Sequence, residues 1–301
     1  LYFCNIVSSS RLYQLIALYY SIEQNIKYFE LYVLCMDDET YGILNSIKFE
    51  HIHMFSLSQL EDDTLKGIKS DRSINEYCWT LKPTFILHIL KQYAFIDRLT
   101  YLDADMFFYN NPIHIFEKGN TASVLISKHD FFTELLYMEK DVGRFNSGFI
   151  SFKNTRSGIS CLVWWKEKCI GWCYDTTVTG QFGDQKYLEQ MYELFNDVSI
   201  IEVPGVNIGP WNDADKKIYR LRGKLHIDDH PLVLYHYCGF RIYDKNSCAF
   251  TFGNLCNPVI HSPYMQAVRK AIMQVQAVAP DFDGCFPEKN TLEKYNIYNL
   301  I

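Results

Sequence analysis

The chain has 301 residues, 48% of them hydrophobic and 21% charged, which is enough apolar material for a sizeable core and unlike a disordered segment. A formal net charge of −6 argues against a nucleic-acid partner, which would call for clustered Lys and Arg, but leaves room for a local basic pocket around one diphosphate. No run of about 18 apolar residues occurs, so no transmembrane segment is expected, and peripheral membrane association stays open. The ten cysteines are scattered without a CxxC pair. They read as buried, reduced thiols rather than zinc ligands, which points to a cytoplasmic setting, peripheral at most to the inner face of the membrane. The opening Leu1-Tyr2-Phe3-Cys4 lacks a basic region and a cleavage site, and so reads as a strand and not a signal peptide.

In chain order, Tyr2 to Val7 is the first predicted strand. Ser8-Ser9-Ser10 follows as a cap for a helix from Arg11 to Gln24, with Leu12, Leu15, Ile16, Tyr19 and Ile22 at helical spacing. Leu31 to Cys35 and His51 to Phe55 are further strands, the first leading into the acidic turn Asp37-Asp38. Residues 56–76 read as loop and short helix. Trp79 to Tyr93 is predicted helical, with Pro83 in its first turn. Leu99 to Leu102 is a strand ending at Asp103-Ala104-Asp105. Ala122 to Ile126 and Gly148 to Phe152 are strands around a segment bearing Phe131, Phe132 and Asp141. Ile159 to Ile170 and Asp184 to Leu194 read as helices, and Trp164, Trp165 and Trp172 as core. Val198 to Val203 and Leu232 to Tyr237 are strands, and Tyr264 to Val278 is a terminal helix. Strands alternating with helices predict an α/β fold with a mostly parallel central sheet and helices on both faces.

The strongest chemical signal is Tyr101-Leu102-Asp103-Ala104-Asp105-Met106-Phe107. Residues two apart on an extended backbone share a side. Two carboxylates at the end of an apolar strand are costly to ionise unless a cation lies between them. Mg²⁺ or Mn²⁺, which prefer oxygen ligands, fit that need, and open α/β sheets bind ligands beyond the carboxyl ends of their strands. The plain alternative is a pair of solvated loop aspartates. Lys82 is either a surface lysine or a cation for a phosphate. Ser8 and Arg11 follow the first strand, in the loop at its carboxyl end: they either contact a ligand there or, for Ser8 and Ser9, only cap the helix. Asp37 and Asp38 either reach a nucleotide or form an exposed turn. Trp211, in the turn-rich stretch Val206 to Asn212, offers a ring for stacking on a sugar.

Four motifs in order extend the picture: Tyr101 to Asp105, Phe145-Asn146-Ser147-Gly148, Gly183-Asp184-Gln185, and His236-Tyr237-Cys238-Gly239. Together they resemble the GT-A nucleotide-sugar glycosyltransferases, in particular the family that includes glycogenin and bacterial lipopolysaccharide galactosyltransferases. The resemblance covers roughly Tyr2 to Gly239. It implies a metal site of Asp103, Asp105 and His236, with Asp103 also touching the donor's ribose. It places Asp184 and Gln185 beside the anomeric carbon and Asn146 against the sugar or acceptor. It implies Mn²⁺ or Mg²⁺ and a nucleotide-sugar donor, expected to be UDP-linked. It further implies transfer with retention to a carbohydrate or glycolipid acceptor, as in surface polysaccharide biosynthesis. The family places a lysine three residues after the glycine of His-x-x-Gly, where this chain has Ile242. Arg241 or Lys245 would then supply the positive charge.

The expected organisation is one domain over 1–301, with a nucleotide-binding half (1–105), an acceptor and catalytic half (106–261) and a terminal helix and tail (262–301). Two rivals remain. A haloacid-dehalogenase-type phosphatase would use Asp103 and Asp105 as nucleophile and acid, although its motif normally lies near the amino terminus. A catalytically inactive sugar-binding relative would keep the fold without turnover.

Overall fold

In the computed structural model, residues 1–178, 180–252, 256–286, 291–292 and 294–300 are described. Strand β1 (Tyr2–Val7) shows how the centre is built. Phe3 and Val7 join one apolar cluster while Cys4 and Ile6 join another, so alternate residues serve opposite faces of the sheet. β2 (Glu30–Cys35) does the same with Leu31 and Val33 against Tyr32 and Leu34. A sheet buried on both faces needs helices on both.

With β3 (Ile52–Ser56), β4 (Arg98–Leu102), β6 (Val124–Lys128), β7 (Phe145–Lys153) and β8 (Val198–Ile200), these strands make a seven-stranded sheet in the order β3-β2-β1-β4-β7-β6-β8. The pairings β1–β2, β2–β3, β1–β4 and β6–β8 are parallel, whereas β7 runs antiparallel to β4 and β6. One reversed strand has a direct consequence. The beginning of β7, rather than its end, lies at the carboxyl end of β4, with Phe149 opposite Leu102.

One face is covered by α1 (Leu12–Asn25), α2 (Asp38–Ile47) and α9 (Pro258–Val278). The other is covered by α4 (Ile74–Gln92), α7 (Arg156–Gly171) and α8 (Tyr187–Leu194), where Trp165 is fully buried beneath Phe152. The short helices α3 (Asp63–Lys69), α5 (Ile113–Lys118) and α6 (Met138–Val142) lie in the connections. Strand β5 (Met106–Phe108) leaves the sheet and pairs antiparallel with β12 (Leu234–His236). Two small antiparallel sheets complete the described chain: β9 (Ile218–Leu221) with β10 (Lys224–Ile227) and β11 (His230–Pro231), and β13 (Phe240–Asp244) with β14 (Ser247–Phe250) and β15 (Ile297–Asn299).

Several expected details differ. Ser8 makes no cap bond. Its Oγ instead meets Ser10 Oγ at 2.9 Å, and Ser9 to Arg11 form a 3₁₀ turn ahead of α1. Helix α4 begins five residues before Trp79, at Ile74, so Pro83 sits inside the helix and not in its first turn. Asp184 and Gln185 lie in a turn, and α8 begins only at Tyr187, three residues after the predicted helix start at Asp184. Among the described residues, no helix is long and apolar enough to cross a membrane.

Candidate active site

A cleft of about 470 Å³ opens at the carboxyl end of the sheet, where β4 finishes, β7 starts and the turn after β12 comes back. Asp103 and Asp105 occupy the turn between β4 and β5, so the turn, not strand alternation, brings their carboxylates together. The backbone holds the first of them, since Asp103 N–H donates to Gly148 O at 2.9 Å. Pairing of β12 with β5 sets His236 opposite Met106, the residue after Asp105. As a result His236 Nε2 lies 3.0 Å from Asp105 Oδ1 and 4.0 Å from Asp103 Oδ2.

One ligand atom from each of the three residues falls within 4.8 Å of the others. Two carboxylates and an imidazole at this spacing could hold a metal ion. Burial works to raise the Asp105 pKa, but the adjacent His236, with Arg11 and Arg241 beyond it, holds the carboxyl well below its usual range.

The second motif supplies space as well as side chains. A Cβ on Gly148 would fall 2.6 Å from His236 Cε1 and 2.8 Å from Asp103 Oδ2, so only glycine lets β7 pass this corner. Next to it, Ser147 Oγ accepts from Lys82 Nζ at 3.1 Å. Lys82 is neither a surface lysine nor near a helix start. It is 2% exposed, in the interior of α4, with its ammonium 3.1 Å from Asp103 Oδ1, 3.3 Å from Asp184 Oδ2 and over the Tyr101 ring. Burial alone would lower the lysine's pKa, and the two carboxylates reverse that and raise it. Asp184 is raised, because burial outweighs Lys82. Trp165 Nε1–H donates to Asp184 O at 2.9 Å and ties this turn to the core. Gln185 Nε2–H donates to Val142 O at 2.9 Å.

In the lining of the same cleft, Arg11 and Arg241 each donate from Nη1 to Phe240 O, at 3.3 and 2.9 Å, and burial followed by the nearby Arg11 charge lowers the Arg241 pKa. Among the described residues no carboxylate lies within ion-pair distance of either guanidinium. Ser8 lines the same cleft, as do Asn146, Asp184 and Gln185. Asp37 and Asp38 do not. Asp37 caps α2 by accepting from Thr40 N–H and also accepts from Ser9 N–H at 2.8 Å, while Asp38 is the first residue of that helix. Lys245 is likewise absent from the lining. Trp211 does line the cleft, but it is only 3% exposed, with its ring against His129 and His236. Residues that sequence reasoning passed over include Trp79 on α4 and His129 and Phe182 in loops; an isolated aromatic or histidine carries no pattern that would have marked them.

Residues 29–203 match the model of the nucleotide-diphospho-sugar transferases. The chain belongs to that family. Two Bacillus subtilis (strain 168) proteins are close in sequence to this transferase. It is 37% identical over 291 residues to the uncharacterized protein YfnF, covering 94% of this chain and 96% of the relative. It is 31% identical over 300 residues to the uncharacterized protein YfnD, covering 95% of each. Among solved structures, the galactosyltransferase LgtC in complex with donor and acceptor sugar analogues superposes with a TM-score of 0.53 at 15% identity, over 79% of this chain and 87% of that one. The bifunctional glycosyltransferase WbbM gives 0.53 at 13% identity, over 91% of this chain and 51% of that one. At such identities these two show a shared GT-A fold and nothing finer.

Proposed function

We propose that this transferase moves a glycosyl group from a UDP-sugar to a hydroxyl of a carbohydrate or glycolipid acceptor, with a divalent cation and with retention at the anomeric carbon. The observation that carries this reading is the convergence of Asp103, Asp105 and His236 on one corner of a cleft whose lining also holds two guanidiniums with no carboxylate partner among the described residues.

Asp103, Asp105 and His236 would hold Mn²⁺ or Mg²⁺. When bound, that ion supplies Lewis-acid stabilisation of the departing diphosphate. Arg11 and Arg241 bind the diphosphate and offset its charge in a partly desolvated wall, where fixed positive groups act more strongly than in water. Ser8 adds a hydroxyl at the same side. The bond from the anomeric carbon to the diphosphate oxygen breaks and one to the acceptor oxygen forms, while the acceptor's hydroxyl proton passes to the departing diphosphate. The sugar gains positive charge as this happens. Asp184 is the carboxylate placed to support that charge, and Gln185 and Asn146 orient the sugar or the acceptor. Lys82 keeps Asp103 and Asp184 compensated while the cleft is empty.

Family membership leaves the phosphatase reading without support. The test is a thermal-shift panel of nucleotide sugars with and without Mn²⁺. UDP-sugars should raise the melting temperature in a manganese-dependent way, and Asp105→Asn should remove that dependence while leaving the circular dichroism unchanged. An equal shift in the mutant would overturn the metal assignment. Binding without hydrolysis or transfer across an acceptor screen would favour the inactive relative.

A further inference from the structure

His129 follows β6 directly and is 4% exposed. Its ring stacks on Phe131, with centroids 4.6 Å apart and planes 17° apart, and meets the Trp211 ring nearly edge-on at 5.4 Å. Both ring nitrogens are used. Nδ1 lies 2.9 Å from Gly143 O, and since a carbonyl only accepts, Nδ1 carries the hydrogen. Burial pushes the pKa down to about 3, so the ring stays neutral and Nε2 keeps a bare lone pair.

That lone pair lies 3.2 Å from Asn146 Nδ2. It can only accept, so it selects the amide orientation in which nitrogen faces His129. Asn146 Oδ1 must then point the other way, where it accepts Gly148 N–H at 3.0 Å. Gly148 is the residue with no room for a side chain between His236 and Asp103, and its carbonyl accepts from Asp103 N–H. A register shift between β6 and β7 at Ile126 and Ser127 makes this meeting possible, and Ser127 Oγ braces it by reaching the Asn146 and Phe149 carbonyls at 3.2 and 3.0 Å. A chain of neutral hydrogen bonds thus runs from Gly143 through His129 and Asn146 to the backbone between the two flanking ligand residues.

We propose that His129 is a positioning residue: its Nδ1–H tautomer locks the Asn146 amide, and through Gly148 it holds the Asp103 and His236 corner in place for its cation. The effect on the cation rests on the function proposed above, whereas the lock itself does not. Long-range ¹H–¹⁵N spectra of the wild-type protein should therefore show a neutral Nδ1–H ring for His129, unchanged between pH 5 and 8. An Nε2–H ring, or one that titrates in that range, would overturn the lock.

Three proteins would then be compared by electron paramagnetic resonance of Mn²⁺ binding without nucleotide. His129→Phe keeps the ring packing but can neither donate nor accept, and should weaken Mn²⁺ binding on the order of 10-fold, the scale of losses at outer-shell partners. His129→Gln, whose side-chain oxygen can still accept from Asn146, should recover most of that loss. Wild-type affinity in a folded His129→Phe would overturn the proposal, as would equal losses in the two variants. If His129→Phe fails to fold, the spectra and His129→Gln still decide. Wild-type protein that binds no Mn²⁺ even with UDP present would sink the proposed function, while the ring spectra would go on reading the lock.

Discussion

A buried ammonium between two carboxylates is the residue on which the electrostatics of the cleft turn. Lys82 is almost wholly enclosed and its partners come from β4's turn and from the turn before α8, some 80 residues apart in sequence. Removing one member of a buried pair costs far more than the pair contributes, because the remaining charge is left uncompensated. Lys82→Met should therefore lose about 3 kcal/mol at pH 7. The loss should shrink on acidification. The Asp184 pKa is already raised in the folded state, and without the lysine it rises further, so the native form binds more protons than the unfolded one. Stability from such a group grows as pH falls. Urea unfolding of the variant at pH 7 and pH 5 should show part of the loss recovered at the lower pH. A loss that deepened at pH 5 would mean that Asp184 gains nothing from being neutral there.

At the scale of elements, the strands and helices that enclose the site were legible because the strands are continuous apolar runs and the helices carry apolar stripes. β1, β2 and β4 sit where those runs put them, and α1 and α9 follow their stripes. Asp103, Asp105 and His236 were legible as motifs, but their meeting was legible only through the family resemblance, because it depends on β5 leaving the sheet to pair with β12 across some 130 residues. No local pattern encodes that. The missed start of α4 is a different case, since its signal was present. Ser73-Ile74-Asn75-Glu76 has the spacing of a capping box, and both of its bonds form. Glu76 also accepts from Asp175 N–H at 2.7 Å, so this helix end fastens the loop leading to Asp184. The hairpin sheets went unseen because strands of four or five residues around Arg222-Gly223 or Lys245-Asn246 are too short and polar to show a period. Ser73→Ala is expected to cost about 1 kcal/mol in urea unfolding, the usual loss of a serine cap. It should also raise amide exchange from Asn75 to Trp79, and unchanged exchange there would argue that the box is redundant with packing.

Across the whole molecule, the cleft is backed by the end of the chain as much as by its beginning. Tyr237 N–H donates to Asp105 O at 2.7 Å, and the Tyr237 ring lies flat on Tyr264 of α9, with centroids 3.8 Å apart. The hydroxyls of Tyr109 and Tyr237 meet each other and the Ile260 carbonyl at the start of the same helix. The terminal helix therefore buttresses the backbone from which Asp105 projects, besides closing one face of the sheet. Tyr264 is fully buried, so Tyr264→Ala leaves a cavity as large as a ring and should cost roughly 3–5 kcal/mol. If the packing acts only on the fold, saturating UDP with Mn²⁺ will return the same stabilisation to mutant and wild type, about 2.7 kcal/mol at a hundred times the dissociation constant. If it also holds Asp105, the mutant will bind more weakly and recover less at equal ligand concentration. Contacts running directly from α9 through Tyr237 to Asp105 favour the second outcome, and parallel melting curves with and without UDP and Mn²⁺ would separate the two.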